Sequence, residues 1–300
     1  MSTSATLRRL VSKVPEEPDR ALVVRGVGKR YGDRWALRDC TFALSAGSVA
    51  ALVGSNGAGK TTLLSIMAGL LGPNEGELSW SRPGRVAFLA HDRPLYRGFS
   101  VADMLCLGRR TNRVWDEQRA SRWLRRFEIP RDRRCGTLSG GQRTQVALAV
   151  ALGSCPSVLL LDEPLSNLDP WARREVLRQL LVEVADHGVS VVMSTHVVTE
   201  LDGVADHLLL LRAGRLLMAG ETDDLLANHV LRTGPRAHRP PGPGEVLWAR
   251  HFEQQSRFLM RSSPMVRQVV NDPRWTSQPV TLQDLVLAYL SRQEVGACSG

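Results

Sequence analysis

Apolar positions follow two rhythms along this chain, and the switch between them marks where the architecture should change. "ALVVRGV" (21–27), "CTFAL" (40–44) and "SVAALVG" (48–54) are short β-prone runs, separated by the turn-like segments "GKRYGDR" and "SAGS". "GKTTLLSIMAGLL" (59–71) then carries the spacing of a buried helix, closed by "GPNEG", and "ELSW" and "RVAFLA" return to strand-sized runs. From Ser100 to Ser154 the period lengthens to about 3.6, in "VADMLCLGRR", "EQRASRWLRRF" and "GQRTQVALAVALG". Strand-like "SVLLLD", helical "PWARREVLRQLLVEVADHG" and strand-like "VSVVMST" follow. Strands alternating with helices at this scale predict a mostly parallel sheet covered on both faces. The block between Ser100 and Ser154 reads as a helical insertion in that α/β core.

Past about Val230 the pattern breaks. "RTGPRAHRPPGPGE" is rich in Pro, Gly and Arg and reads as a linker. "EVLWARHF" and "SRFLMRS" read as strands, and "TLQDLVLAYLSRQ" as a terminal helix with Thr281 and Asp284 at capping-box spacing. Leu282, Leu285, Val286, Tyr289 and Leu290 form one apolar stripe, expected to dock inside the chain. The expected division is a tail over 1–20, a main domain over 21–229 with its helical subdomain at about 97–156, a linker over 230–245 and an extension over 246–300.

Composition narrows the class without naming a function. The chain has 300 residues, 43% hydrophobic and 23% charged, values of an ordinary globular protein. No apolar run approaches the roughly 20 residues of a membrane-spanning helix. Cys40, Cys106, Cys135, Cys155 and Cys298 are an odd set without C-x-x-C spacing, so reduced thiols are expected rather than a disulfide framework or a zinc site. The first twenty residues lack the apolar core of a secretory signal and read as a frayed tail. The net charge of +9 is almost all arginine, with lysine only at 13, 29 and 60. Basic residues are scattered without interleaved aromatics, so charge alone decides between neither a nucleic-acid nor a membrane surface.

Three stretches carry chemistry. "GSNGAGKTT", Gly54 to Thr62, fits G-x-x-x-x-G-K-[ST] and lies between a predicted strand and a predicted helix. There Gly54, Ser55, Asn56, Gly57, Ala58 and Gly59 would turn successive N–H groups around phosphate oxygens, at a helix N-terminus whose dipole favours anions. Lys60 would reach the β- and γ-phosphates and the Thr61 hydroxyl would ligate Mg²⁺, with Thr62 next in the helix. The plainer alternative is a glycine turn with a chance lysine. "SVLLLDEP" delivers Asp162 at the end of an apolar strand, suited to the metal, and Glu163 beside it, suited to the attacking water; alone, the pair could simply begin a turn before Pro164. "LSGGQ", Leu138 to Gln142, would place Ser139 and the Gly140 and Gly141 amides at a second helix N-terminus, a second anion cradle.

With "LSGGQ" beside the other two stretches, residues 21 to 227 resemble the nucleotide-binding subunit of an ABC transporter. The resemblance implies a P-loop NTPase (RecA-like) α/β core with an antiparallel β subdomain and an inserted α-helical subdomain, here with a small C-terminal extension. It implies ATP and Mg²⁺ as cofactors and Glu163 as general base. It also implies two ATPs sandwiched in a homo- or heterodimer, where Ser139, Gly140, Gly141 and Gln142 complete the opposite subunit's site. Tyr31 falls where the family stacks an aromatic on adenine, Ser166 to Asp169 ("SNLD") where its D-loop crosses the dimer, and His196 where its switch histidine meets the γ-phosphate. Taken alone, Tyr31 would be a turn or core aromatic and His196 a strand-end histidine.

The family's Q-loop glutamine is replaced by His91 in "FLAHDRPLY", which is expected to fill that role imperfectly; the plainer reading is a solvated loop histidine. Gln145 and Val150 stand where the family more often has arginines. The family resemblance implies a permease partner contacted by the helical insertion, a peripheral place on the cytoplasmic face of the membrane and no direct nucleic-acid partner. The tail "VTLQDLVLAYLSR" resembles export-type bacterial subunits, so the expected function is export of a drug, antibiotic or other small molecule. Relatives acting on DNA or ribosomes fit less well. Positions 62 to 138 leave no room for a long coiled coil, zinc-binding cysteine pairs are lacking, and one ATPase half is present rather than two. A P-loop kinase would leave "LSGGQ" and "SNLDP" unexplained.

Overall fold

The computed structural model describes residues 20–80, 84–93, 95–261 and 272–291. Nearly all of the expected tail, and segments 262–271 and 292–300 of the extension, lie outside the described residues. Strands β1 (Arg20–Tyr31) and β2 (Arg34–Ser45) form a long hairpin. Strand β3 (Val49–Val53) feeds the glycine loop and helix α1 (Lys60–Met67), and β4 (Glu75–Trp80) returns to pair antiparallel with β1. The segment "GKRYGDR", read as a turn, is mostly strand: β1 runs to Tyr31 and only Gly32 and Asp33 turn. Trp35 sits directly opposite Arg30, with the Arg30 and Arg38 guanidinium groups 5.7 and 5.3 Å from its ring. Such cross-strand pairs sustain a hairpin through a polar sequence.

The second half of the core alternates as expected. Strand β5 (Val86–Leu89) is followed by the helical insertion α2 (Val101–Thr111), α3 (Glu117–Arg126) and α4 (Gly140–Gly153). Then come β6 (Val158–Asp162), α5 (Pro170–His187), β7 (Ser190–Thr195), β8 (His207–Arg212), β9 (Arg215–Glu221) and the short α6 (Thr222–Ala227). The main sheet has the order β5-β6-β7-β3-β8-β9, parallel throughout except for the β8–β9 hairpin. Strands β3, β6 and β7 are buried at every position, which is why they read as runs that are apolar except at their ends.

Alternation within those runs divides the interior in two. Val49, Ala51 and Val53 face one cluster, together with Leu159, Leu161, Val191 and Met193, the helical subdomain and α5. Ala50 and Leu52 face the other, with Leu160, Val192, α1 and the β1–β2 hairpin. The phosphate-loop strand is thus clamped between two cores.

The C-terminal part corrects the linker reading. Strand β10 (His229–Pro235) is flanked by partners on both edges, in a sheet ordered β11-β12-β10-β13, with β11 (Glu245–His251), β12 (Gln255–Arg261) and β13 (Thr276–Gln278). The glycine of "RTGP" is a packing glycine, since a Cβ on Gly234 would collide with the Trp275 ring. Helix α7 (Leu282–Ser291) begins as predicted, with the Asp284 amide donating to Thr281 Oγ1 at 3.1 Å. Its stripe of Leu282, Leu285, Val286 and Tyr289 joins the main core. His229 is buried: its Nδ1 donates to the Leu225 carbonyl at 2.5 Å, leaving Nε2 to accept from the Tyr289 hydroxyl at 2.9 Å.

Candidate active site

The carboxyl ends of three neighbouring parallel strands, β6, β7 and β3, bring the motifs into one row. In register, Asp162 stands opposite Ser194 and Val53 opposite Thr195. Ligand sites of open parallel sheets lie at this edge, where loops rather than strands continue the chain. From Val53 the chain enters the glycine loop, where Ser55, Asn56 and Gly57 are exposed and Gly54, Ala58 and Lys60 are buried. Gly59 has φ +107°, and a Cβ there would meet the Ala36 carbonyl at 2.7 Å. Only glycine satisfies both the backbone and the close approach of β2. Tyr31 stands exposed at the tip of that hairpin, with the Lys29 ammonium 5.7 Å from its ring.

Lys60 is only 6% exposed and fully employed. Its Nζ donates to the carbonyls of Gly54 at 2.9 Å and Ser55 at 3.3 Å, and pairs with Glu163 Oε1 at 3.3 Å. Asp162 is buried beside it and accepts from Thr61 Oγ1 at 2.7 Å and from Ser194 Oγ at 2.6 Å. The Thr61 hydroxyl and the Asp162 carboxylate, hard oxygens on adjoining elements, fit Mg²⁺, which takes few protein ligands and keeps waters and phosphate oxygens for the rest. Thr62 is half-buried one position further along α1.

Glu163 is the centre of the arrangement. One carboxylate oxygen faces Lys60, and the other lies 3.2 Å from His196 Nδ1. Burial alone would raise this carboxyl, but Lys60 and then His196 outweigh it and hold it below the ordinary glutamate range. Its backbone is left-handed, with φ 47°. For a non-glycine residue that costs on the order of 1–3 kcal/mol, and such strain gathers at functional sites. His196 is half-exposed at the rim.

The residues of "LSGGQ", Leu138 to Gln142, which we call the signature group, form a second cluster. Ser139 caps α4 by accepting from the Gln142 amide at 3.1 Å, and Gln142 Oε1 accepts from the Ser139 amide at 3.1 Å. Gly140 and Gly141 lie against the D-loop, where added Cβ atoms would meet Asn167 at 3.4 and 3.2 Å. Asp169 caps α5 by accepting from the Ala172 amide at 2.9 Å, and Arg173 Nε donates to the Leu168 carbonyl at 2.8 Å. Among the described residues, no hydrogen bond or ion pair joins Ser139, Gly140, Gly141 or Gln142 to Lys60, Asp162, Glu163 or His196. Gln145, at a position where an arginine is commoner, accepts from the buried Trp123 indole at 3.0 Å inside the helical subdomain.

His91, expected at the Q-loop position, lies in the loop between β5 and α2. Its side chain is exposed and makes no hydrogen bond among the described residues; only its carbonyl is engaged, by Arg93. The sequence reading missed Arg93 and Ser194 as parts of the site, and placed Ser166 only in the D-loop stretch without its bond to Arg93. Ser194 had a usable signal, a hydroxyl at the carboxyl end of an apolar strand, two residues before His196. Arg93 had none, since its partners lie 70 and 73 positions away.

Comparison with known proteins agrees with this geometry. Residues 37–166 match the family described as ABC transporter, and residues 131–202 an overlapping AAA domain. The molybdenum import ATP-binding protein of Mycobacterium tuberculosis is 37% identical over 222 residues, 66% of this chain and 60% of the relative, so the chain spans well under two thirds of that protein's length. The aliphatic sulfonates import ATP-binding protein of Corynebacterium glutamicum is 38% identical, over 65% of this chain and 82% of its own length. A phosphonates import ATP-binding protein of Natronomonas pharaonis is 39% identical, over 66% of this chain and 92% of its own. Among solved structures, an ATP-binding subunit of an ABC transporter superposes with a TM-score of 0.62 at 26% identity, covering 68% of this chain and 91% of that one. A subunit of an ABC transporter complex from Clostridium perfringens gives 0.59 at 27% identity, covering 70% and 91%. With its motifs assembled on that fold and relatives matched over most of their length, the chain belongs to the family of ABC transporter ATP-binding subunits.

Proposed function

We propose that this chain binds ATP with Mg²⁺ and hydrolyses it to power a membrane permease. The observation that carries the reading is the double hold on Glu163, with Lys60 at 3.3 Å on one oxygen and His196 at 3.2 Å on the other. The phosphates of ATP bring more negative charge than one carboxylate, so Lys60 exchanges Glu163 and its two carbonyl partners for them. Glu163 stays partly buried while losing the cation that held its proton affinity down. Its basicity therefore rises as the substrate arrives, which suits it to take a proton from the attacking water. His196 keeps the other oxygen oriented. Mg²⁺, when bound, neutralises phosphate charge; Thr61 and Asp162 are the residues that would hold it.

The signature group points to a dimer. Among the described residues, Ser139, Gly140, Gly141 and Gln142 make no hydrogen bond or ion pair with Lys60 within one copy, which is compatible with what the family resemblance implies: their N-terminal amides would serve the nucleotide of a second copy, and Tyr31 would stack on the base. Asp169 and its D-loop lie at that junction. The main domain (21–229) is the motor, its helical subdomain (97–156) the contact for the permease, and the peripheral place is the cytoplasmic face of the membrane. Among the described residues no helix is long and apolar enough to cross a membrane, so the membrane path belongs to that partner. The export direction expected from the tail is dropped here, because the relatives quoted above are named for import.

Affinity capture of the full chain from solubilised membranes tests the assignment. Recovery of an integral membrane protein supports it; recovery of ribosomes or DNA without one sinks it.

A further inference from the structure

Arg93 is the least expected residue around the site. It sits in the loop between β5 and α2, 6% exposed, with a left-handed backbone at φ 47°. Its Nη1 donates to the His91 carbonyl at 2.7 Å and pins its own loop. Its Nη2 crosses to the turn after β6, donating to the Glu163 carbonyl at 2.7 Å and to Ser166 Oγ at 3.0 Å. Ser166 in turn donates to the same Glu163 carbonyl, at 3.0 Å from Oγ and 3.3 Å from the amide. Nε is buried without a hydrogen-bond partner among the described residues.

A buried arginine with an unsatisfied donor is costly, on the order of 1–3 kcal/mol for the unpaired group alone. Burial lowers the guanidinium's proton affinity, against the pull of the nearby Asp162 and Glu163 carboxylates. Loop closure alone would need only the Nη1 bond. The Nη2 bonds do something else: they fix the peptide of a strained residue whose carboxylate must point within tenths of an ångström.

We propose that Arg93 is a positioning residue for hydrolysis, tying the β5–α2 loop to the Glu163 peptide and to the D-loop serine so that the Glu163 carboxylate is held in line. The inference rests on the reading of Glu163 as the base. It assigns to Arg93 the coupling between this loop and the catalytic turn, and leaves His91 to contribute only its carbonyl. Lysine at this position could reach one acceptor but not span three, because an ammonium is a point donor and a guanidinium a fork.

The test compares Arg93→Ala, Arg93→Lys, Ser166→Ala, the Arg93→Ala/Ser166→Ala double variant and Glu163→Gln with the parent. The full chain is used with MgATP, and kcat, KM for ATP and Tm are measured. Arg93→Ala should lower kcat by about 10- to 100-fold with KM within about two-fold, the split of a residue acting on the transition state rather than on binding. Arg93→Lys should recover part of the rate. Ser166→Ala should lose a few-fold, and the double variant should match Arg93→Ala, because both substitutions release one turn. A kcat within two-fold of the parent in Arg93→Ala, or fully additive losses in the double variant, overturns the inference. If Arg93→Ala does not fold, unchanged kcat in both Arg93→Lys and Ser166→Ala overturns it. Glu163→Gln separates the two claims. If it keeps the parent's kcat, the base assignment fails; if it is inactive while Arg93→Ala is normal, only the role of Arg93 fails.

Discussion

The phosphate loop and the loop between β5 and α2 meet at the same carboxylate, Glu163, and differ in how they reach it. In the first, the working side chain belongs to the motif itself: Lys60 sits at the start of its own helix and touches Gly54, Ser55 and Glu163. In the second, the residue at the expected position, His91, points into solvent, and a neighbour two places on makes the contacts. A backbone-built site dictates residue type at fixed spacing, because the turn needs glycine and the helix start needs its donors. A site reached by one long side chain dictates only that some donor arrive, and the chain is free to supply it from an adjacent position.

That contrast predicts a steep order of effects. Lys60→Ala should remove the cation from the phosphate side and leave Glu163 buried without it, lowering hydrolysis by at least about 100-fold together with ATP affinity. Steady-state rates and nucleotide titration check this, and a variant that still binds and turns over ATP normally would break the first half of the comparison.

A third region sharpens it. Glu175 on α5 accepts from Arg126 of the helical subdomain at 2.6 Å, and from Arg178 and Gln179 of its own helix at 3.1 and 2.8 Å. The two partners on α5 stand at i+3 and i+4, a spacing any helix reading can find; Arg126 lies 49 positions away and is not findable that way. The Arg126 bond and then the Arg178 bond push the Glu175 carboxyl from 4.5 down to about 2. A depressed carboxyl stabilises the fold fully above its unfolded value and loses that contribution as pH falls through the folded one, here from about 4.5 to about 2. Glu175→Gln should cost about 1–3 kcal/mol near neutrality, discounted because both arginines are half-exposed, and should flatten acid unfolding in that window. Denaturant melts at pH 7 and pH 3 test both parts.

The smallest effect belongs to the residue most conspicuous in the sequence. His91→Gln should leave kcat within about two-fold of the parent and the pH–rate profile unchanged in shape. A faster or less acid-sensitive variant would return His91 to the site.

Legibility followed the same line throughout. The parallel core was readable because β3, β6 and β7 are buried on both faces and are therefore apolar except at their ends. Gly59, Lys60, Thr61, Asp162 and Glu163 were readable because each is required at a strand end or helix start, and the structure brings them together within hydrogen-bonding reach. Composition misled at 230–235, the first part of the linker expected over 230–245, where the chain is strand; 236–244 is the irregular connection to β11. Gly234 is there to seat Trp275, and the strand it belongs to is paired on both edges, facts that depend on a partner about 40 residues away. The hairpin around Tyr31 was shortened in the reading for a related reason: its polar strands are held by Arg–Trp pairs rather than by apolar alternation.

Everything proposed for this site turns on Glu163, held between Lys60 and His196, as the base of the hydrolytic step. The most direct measurement is single-turnover hydrolysis of MgATP by the parent chain and by Glu163→Gln, with ATP affinity determined on the same preparations. Affinity should stay within about three-fold and hydrolysis should slow by about 100-fold or more, the range of a lost general base. Equal hydrolysis rates in the two proteins at equal ATP occupancy would contradict that role.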